Sequence, residues 1–214
     1  DLSAVARHSG TPLDVAYEAG QQAFVAWLQP QGARFTPIRF DVIQVSPAIR
    51  RLAFPWGMMN NIVVFSGAEG AIVVDTGFAR RAVDELRHLV GGWSAAGVRY
   101  VINTHAHGDH VAGNAIAPAP QAVITAASLA AGQAGVGAAR VGDPLAGRTG
   151  RSLPAPYALR FGGADIQIIP RPGLHSAGDL IVYFPSERVV AMGDLLLSQS
   201  MPALDDIAGY LAFL

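Results

Sequence analysis

From residue 39 onward, short runs of β-branched and aromatic residues alternate with turns, which is the pattern expected of β-strands. The stretch at residues 67–70 joins two of these runs with a glycine on each side, and Gly162-Gly163 joins two others. Both pairs therefore predict β-hairpins. The predicted strands are residues 40–45, 48–54, 61–66, 71–75, 98–103, 122–125, 157–161, 166–170, 180–184 and 189–192.

Helical spacing of apolar residues occurs in fewer places. It predicts a helix over residues 80–90, a second over 111–117 and a weaker, Ala/Gly-rich one over 126–140, whereas residues 142–156 are predicted to be loop. Hairpins and strand–helix–strand segments thus alternate in two blocks, 39–125 and 156–214. This alternation predicts a layered α/β structure.

Residues 1–37 are predicted to form a helical N-terminal segment ahead of a domain that spans residues 38–214. Packing on this domain is the simplest interpretation, and covering a pocket or contacting a second subunit are the alternatives. The predicted N-terminal helix begins at Pro12, ends at Pro30, and carries its apolar residues at Leu13, Tyr17, Phe24, Trp27 and Leu28.

An apolar loop at residues 55–59 is either a lid or a buried connection.

The composition excludes several kinds of chemistry. Of the 214 residues, 51% are hydrophobic and 14% are charged, which is enough apolar material for a substantial core. The net charge of −1 and the thin spread of arginines argue against binding to nucleic acid or to an anionic membrane. The absence of cysteine and lysine excludes thiolate nucleophiles, Schiff bases and Walker-type phosphate loops.

Membrane and export signals are weak. The longest uncharged stretch, residues 111–139, is rich in Ala and Gly and is broken by Pro118 and Pro120, so no transmembrane segment is predicted. The chain begins at Asp1, as it would after removal of an export signal or after simple trimming. A periplasmic or secreted location is slightly favoured over the cytoplasm.

The strongest chemical signal is the stretch Thr-His-Ala-His-Gly-Asp-His at residues 104–110. It follows a predicted buried strand, at the end where open α/β sheets place their ligands. His105 and His107 are two positions apart on an extended segment and can point the same way, while Asp109 and His110 can turn toward a second point. Neutral imidazole and carboxylate groups suit zinc and similar divalent metals. The alternative is a polar turn that is rich in histidine.

Three further positions are weaker signals when each is taken alone. His175 lies between glycines in the segment 173–179, where a lone histidine is more often structural. Asp194 follows Gly193 at a strand end and has the ordinary interpretation of a helix N-cap or turn residue. Asp75 occupies a similar place before Thr76 and Gly77.

Taken together, these motifs resemble the metallo-β-lactamase superfamily from about Arg39 to the C-terminus. The resemblance implies a four-layer αβ/βα sandwich, here lacking its last strand and helix elements, with a metal site along one edge of two facing sheets. It also implies a small-molecule substrate and two Zn2+ ions in the full-length protein, with Mn2+ or Fe2+ as alternative metals. Homo-oligomerisation is left open.

The resemblance also implies a role for each motif residue. His105, His107 and His175 would bind the first metal, Asp109 and His110 the second, and Asp194 would bridge the two. Asp109 would in addition pass a proton to the leaving group, and Asp75 would hold the metal-binding loop by hydrogen bonds.

The sequence departs from the family at its C-terminal end. Relatives usually supply one more late histidine to the second metal, and no histidine follows His175 here. An apolar helical stripe follows a predicted N-cap at Asp205 or Asp206, and it runs through Ile207, Tyr210, Leu211 and Leu214. We therefore expect the natural protein to continue into a further strand and loop that carry this ligand, and the second site to bind metal loosely in this form.

Two positions distinguish branches of the superfamily. His107 stands where the di-iron oxidoreductase branch typically has Glu, which favours a hydrolytic site. Asp194 stands where many β-lactam-hydrolysing members have Cys or Ser, whereas thioester, lactone and phosphodiester hydrolases commonly have Asp. We predict a zinc-dependent hydrolase that uses a metal-bound hydroxide on a small ester, thioester or lactone. A β-lactamase is the first alternative, and a degenerate metal-binding protein without catalysis is the second.

Overall fold

The computed structural model describes residues 1–5, 10–54, 60–119, 122–126, 151–153, 155–197 and 202–213, with only the backbone at 151–153. The predicted lid or connection at residues 55–59 lies outside the described residues. So do nearly all of the weak helix predicted at 126–140 and the first part of the loop predicted at 142–156. Among the described residues, no helix is long and apolar enough to cross a membrane.

Two β-sheets form the framework of the molecule. The first contains β1 to β7 in sequential order, antiparallel from β1 to β4 and parallel from β4 to β7. Its strands are β1 (Asp41–Gln44), β2 (Ile49–Ala53), β3 (Asn61–Gly67), β4 (Gly70–Val74), β5 (Val98–Ile102), β6 (Val123–Ala126) and β7 (Arg151–Leu153). The second sheet is antiparallel, in the order β11-β10-β9-β8. Its strands are β8 (Tyr157–Phe161), β9 (Ala164–Pro170), β10 (Leu180–Phe184) and β11 (Val189–Ala191).

Five α-helices occur in the part of the chain that the structure describes. They are α1 (Pro12–Glu18), α2 (Gln22–Leu28), α3 (Val83–Trp93), α4 (Gly108–Val111) and α5 (Ile207–Phe213). A 3-10 turn at Arg80–Ala82 precedes α3, so the predicted helix at 80–90 begins one turn late and extends to Trp93.

Three predictions of local structure were wrong. The N-terminal segment forms two helices instead of one, because Gly20 adopts a left-handed φ of 71° between them. The helix predicted at 111–117 ends early: Gly113 approaches Thr76 so closely that a Cβ there would lie 2.6 Å from the Thr76 carbonyl oxygen. Arg151–Leu153, predicted as loop, is a strand because it pairs in parallel with β6.

The packing produces four layers, as the resemblance implied. The facing sheets enclose a core in which Ile72 and Ile102 of the first sheet meet Ile168 and Val182 of the second. On the outer face of the first sheet, Val83, Leu86 and Val90 of α3 pack against another cluster of buried side chains. On the outer face of the second sheet, Tyr210 of α5 packs with Leu174, Ile181 and Leu195.

Helix α5 leaves much of its apolar surface open. Tyr210 is 4% exposed, whereas Ile207 and Leu211 are 63% and 66% exposed. Leu214 lies outside the described residues, and of the other three residues of the predicted stripe only Tyr210 is buried.

The N-terminal segment packs on the domain through charged side chains. Asp14 is buried and contacts the Arg81 guanidinium, and a Glu18 carboxylate oxygen accepts a hydrogen bond of 2.7 Å from the Arg80 backbone N–H. Phe24 and Trp27 stack on each other at the surface, about half exposed, so they do not belong to the apolar face of the segment. That face consists of Leu13, Ala16, Val25, Leu28 and Ala33.

Candidate metal centre

Four connecting segments bring their polar residues to one edge of the two sheets. Asp75 follows β4, and the segment 103–110 follows the adjacent parallel strand β5. His175 lies in the loop between β9 and β10, and Asp194 lies in a 3-10 turn directly after β11. Because parallel strands end at the same edge of a sheet, Asp75 and the histidine-rich segment become neighbours.

The first donor set contains three imidazoles and one carboxylate. His107 Nδ1 lies 3.0 Å from His105 Nε2 and 3.1 Å from His175 Nε2, and Asp194 Oδ2 lies 3.6 Å from His175 Nε2. The four ligand atoms lie within 4.8 Å of one another. The structure thus brings together residues that are far apart in the chain.

Hydrogen bonds to the Nδ1 atoms orient two of these rings. His175 Nδ1 contacts the carbonyl oxygen of Ala203, which can only accept a hydrogen bond, so Nδ1 carries the proton. His105 Nδ1 lies 3.1 Å from Thr104 Oγ1, whose own proton is donated to Asp75 at 2.8 Å. Both rings therefore present an Nε2 lone pair toward His107, and a shared cation is the natural partner for such converging lone pairs.

The second donor set contains Asp109, His110 and Asp194, with ligand atoms also within 4.8 Å of one another. His110 Nε2 lies 3.2 Å from Asp194 Oδ1 and 3.7 Å from Asp109 Oδ2. This nitrogen is buried and has no geometrically sound hydrogen bond in the described residues. An orphaned buried nitrogen facing two carboxylates fits a metal ligand, so the residues present suit a cation here as well.

Asp75 organises the backbone around both sets. One carboxylate oxygen accepts a hydrogen bond of 2.8 Å from the Thr104 backbone N–H, and the other accepts bonds of 2.8 Å from Thr104 Oγ1 and from His110 Nδ1. The residue itself has a left-handed φ of 59°, which is uncommon for a non-glycine residue. The carboxylate thus fixes the tautomer of His110 and leaves Nε2 free toward the site.

A buried polar network that the sequence analysis missed supports the same loop. Thr76 Oγ1 donates to the His110 carbonyl oxygen at 3.1 Å, and the side chains of Asn103 and Asn114 exchange hydrogen bonds of 3.0 and 2.9 Å. Thr76, Asn103 and Asn114 are fully buried. No periodic pattern marks these residues, because their role depends on contacts between β4, β5 and the turn after α4.

Asp179 was also missed, although it shapes the loop that carries His175. Its carboxylate accepts hydrogen bonds from the backbone N–H groups of Leu174, His175 and Ser176 at 3.1, 2.8 and 3.0 Å. A carboxylate that satisfies three consecutive N–H groups holds a loop that contains no regular structure. The signal in the sequence was an Asp four residues after His175.

The surroundings set the protonation of two histidines in the metal-free chain. Burial, together with the charge of His110, lowers the pKa of His105 to about 2. Burial also opposes protonation of His110, but the charge and hydrogen bond of Asp75, together with the nearby Asp194 carboxylate, outweigh it and raise the pKa of His110 to about 10. His105 is therefore neutral and ready to bind metal, whereas His110 holds a proton that a metal has to displace.

Gly193 allows Asp194 to reach the centre. Its φ is +53°, and a Cβ at this position would lie 2.7 Å from the Cβ of Thr104, and closer still to its hydroxyl oxygen. The turn after β11 therefore packs directly on the residue that precedes His105. Only glycine meets both requirements at this point.

All seven residues predicted for the site lie at this edge: His105, His107, Asp109, His110, His175, Asp194 and Asp75. Asp205 and Asp206, the two residues predicted as the N-cap of the last helix, belong to neither donor set of the described residues. Their backbone N–H groups donate to the Leu174 carbonyl oxygen at 2.7 and 3.2 Å, and Asp206 caps α5 through the Gly209 N–H.

The fold and the donor sets define an αβ/βα sandwich with a candidate His/Asp metal site at the sheet edge. The chain belongs to the metallo-β-lactamase superfamily, which it matches over residues 55–212.

Solved structures show the same fold at low sequence identity. A metallo-β-lactamase from Pontibacter korlensis is 20% identical, with a TM-score of 0.59 over 76% of this chain and 74% of that one. The IND-7 metallo-β-lactamase is 16% identical, with a TM-score of 0.58 over 75% and 73%. A metallo-β-lactamase with a HARLDQ motif from Cronobacter sakazakii is 21% identical, with a TM-score of 0.54 over 70% and 60%. At these identities the similarity establishes the fold alone.

Proposed function

We propose that this protein is a zinc-dependent hydrolase of a small ester, thioester or lactone. The observation that supports this most is the place of Asp194 between the two donor sets. One of its oxygens lies 3.2 Å from His110 Nε2 and the other lies 3.6 Å from His175 Nε2. A carboxylate so placed can bridge two cations and offset their mutual repulsion.

Each donor set has a defined part in this proposal. His105, His107 and His175 would hold one zinc ion, Asp109 and His110 the other, and Asp194 both. When bound, zinc supplies Lewis-acid catalysis and makes water acidic enough to act as a nucleophile near neutral pH. Asp109 is 40% exposed at its side chain, so its carboxyl can reach solvent and a substrate and can carry a proton to the leaving group.

The substrate class rests on residue type. The resemblance to the superfamily implies that an Asp at the position of Asp194 is typical of thioester and lactone hydrolases rather than of enzymes that open β-lactams. A β-lactamase is the second candidate, because several of the solved structures with a similar fold are metallo-β-lactamases.

The experiment measures zinc content and turnover together. The metal-free chain is titrated with zinc and assayed on a chromogenic ester, a thioester, a lactone and a cephalosporin. We expect one tightly held equivalent of zinc and a second that mild chelation removes. Turnover of the first three substrates should rise with the second equivalent and exceed that of the cephalosporin.

Two variants serve as test and control. Asp194→Ala should lose most turnover and bind less zinc, whereas Asp165→Ala, at an exposed surface ion pair with Arg160, should change neither. Zinc binding without turnover of any substrate would refute the hydrolase and support a metal-binding protein without catalysis. Preferential turnover of the cephalosporin would support the β-lactamase.

A further inference from the structure

Residues 203–213, here called the C-terminal segment, contact the two loops through which the second sheet reaches the candidate metal centre. One loop, between β9 and β10, carries His175, and the other, directly after β11, carries Asp194. Helix α5 makes up most of the segment and lies on the outer face of that sheet. The contacts of the segment with each loop therefore bear on both donors that the second sheet supplies.

The loop of His175 is bound to the segment through backbone groups. His175 Nδ1 donates a hydrogen bond to the carbonyl oxygen of Ala203. The carbonyl oxygen of the preceding residue, Leu174, accepts hydrogen bonds from the N–H groups of Asp205 at 2.7 Å and Asp206 at 3.2 Å. A histidine ligand takes its tautomer and its direction from the partner of its other ring nitrogen. The orientation of the imidazole therefore depends on where residues 203–206 lie.

The turn of Asp194 is bound to the segment through one side chain. The Tyr210 hydroxyl donates a hydrogen bond of 2.6 Å to the carbonyl oxygen of Leu195, the residue after Asp194. Both Tyr210 and Leu195 are buried, so water does not compete for this bond. The turn's own hydrogen bond, from the Leu195 N–H to the Met192 carbonyl oxygen, is longer, at 3.2 Å. Tyr210 therefore supports the backbone that carries Asp194.

Helix α5 depends on the same contacts to stay folded. It has seven residues, and a helix of that length is not stable in water without packing against other elements. Its buried residue, Tyr210, packs with Leu174 and Leu195, which are the chain neighbours of His175 and Asp194. Docking of the helix and alignment of the two donors consequently rest on one set of contacts.

We propose that helix α5 aligns His175 and Asp194 for zinc, with Tyr210 as the positioning residue, so that zinc binding and docking of the helix are coupled. This inference rests on the zinc binding in the proposed function and not on hydrolysis. When the segment undocks, His175 loses the Ala203 carbonyl oxygen, and the loss of such a partner lowers metal affinity about 10–100-fold. Because coupling between two equilibria is reciprocal, bound zinc favours the docked helix by the same factor.

Hydrogen exchange of the full chain tests the coupling directly. Exchange of the α5 amides is followed by mass spectrometry with zinc present and with a chelator present. We expect zinc to slow it about 10–100-fold. Helix α2, which packs in a separate cluster of buried residues, is the internal control and should exchange at the same rate in both conditions. Exchange of α5 that does not change in a chain that binds zinc would refute the proposal.

The variant Tyr210→Phe keeps the packed ring and removes only the hydroxyl. Zinc affinity in a chelator competition should fall about threefold to tenfold, the range for one neutral hydrogen bond. The visible spectrum of bound Co2+, which reports ligand geometry, should change as well. Two controls should keep the wild-type affinity and spectrum: Leu211→Ala, at an exposed position of α5, and Val90→Ala, which lowers stability from a buried position on α3.

The possible outcomes separate this proposal from the proposed function. Unchanged zinc affinity in Tyr210→Phe, or an equal loss in Val90→Ala, refutes the positioning role and leaves the hydrolase standing. Coupling of zinc to α5 without turnover of any substrate refutes the hydrolase and supports the positioning role. A chain that binds no zinc refutes both.

Discussion

The contact between Gly193 and Thr104 joins Asp194 to the rest of the centre, and Gly193→Ala perturbs it with a single methyl group. The added Cβ would lie 2.7 Å from the Thr104 Cβ, a separation that folded proteins essentially never show. Thr104 is 2% exposed, and its hydroxyl is committed to Asp75, so it cannot rotate away without losing that hydrogen bond. One of the two segments therefore has to move.

Gly193→Ala has two free-energy costs, which we expect to add. A non-glycine residue in a left-handed conformation costs about 1–2 kcal/mol. Overpacking a buried contact costs about 1–3 kcal/mol more. We expect Gly193→Ala to lower the free energy of unfolding of the metal-free chain by about 2–5 kcal/mol from the two terms combined.

Gly163→Ala separates these costs. Gly163 has a φ of +84°, but a Cβ there would meet nothing within 4 Å, so this variant carries the conformational cost alone. Both variants are unfolded with urea in the presence of a chelator, and their zinc content is measured after reconstitution. Gly193→Ala should be the less stable by about 1–3 kcal/mol and should bind less zinc, because the backbone that carries Asp194 is displaced. Equal stability and equal zinc content in the two variants would refute the proposed coupling between this turn and Thr104.

Three further changes test the supports of the centre. Asp75→Asn keeps the size of the side chain but removes the charge that holds Thr104 and His110, so zinc affinity should fall about 10–100-fold in a chelator competition; unchanged affinity would contradict the role of Asp75. Asp179→Ala leaves three N–H groups of the His175 loop without their acceptor and should cost about 1–3 kcal/mol in urea unfolding, whereas a loss near zero would show that the loop is held otherwise. The proton on His110, with its pKa raised from 6.5 to about 10, competes with zinc, so zinc affinity at the Asp109–His110–Asp194 set should rise as pH increases from 6 toward 10, with one proton released per ion. Weakly buffered zinc titrations measure that release, and affinity independent of pH would rule out this competition.

Much of the fold could be predicted because its strands and turns carry local signals. The hairpins at residues 61–74 and 157–170 were recognisable from glycines between β-branched runs, and both pairs of strands are antiparallel as a hairpin requires. The errors occurred where a distant contact decides the local structure. Arg151–Leu153 is a strand only because β6 lies beside it, and the helix after His110 ends where Gly113 meets Thr76.

The sequence by itself determined which residues bring chemistry to the protein. The spacing of His105, His107, Asp109 and His110 places imidazoles and a carboxylate within one segment, and no cysteine or lysine offers a competing chemistry. Such a segment is local, so its composition and its position after a buried strand are readable without a structure.

Only the tertiary structure decided how these residues are arranged. His175 and Asp194 reach the histidine segment because the second sheet folds onto the first, and neither spacing nor propensity encodes their distances. The same packing created the buried network of Thr76, Asn103 and Asn114. A side chain's partner across a fold depends on strand register and layer packing, which single-residue preferences do not specify, and for this reason the chemistry was visible in the sequence before its geometry was.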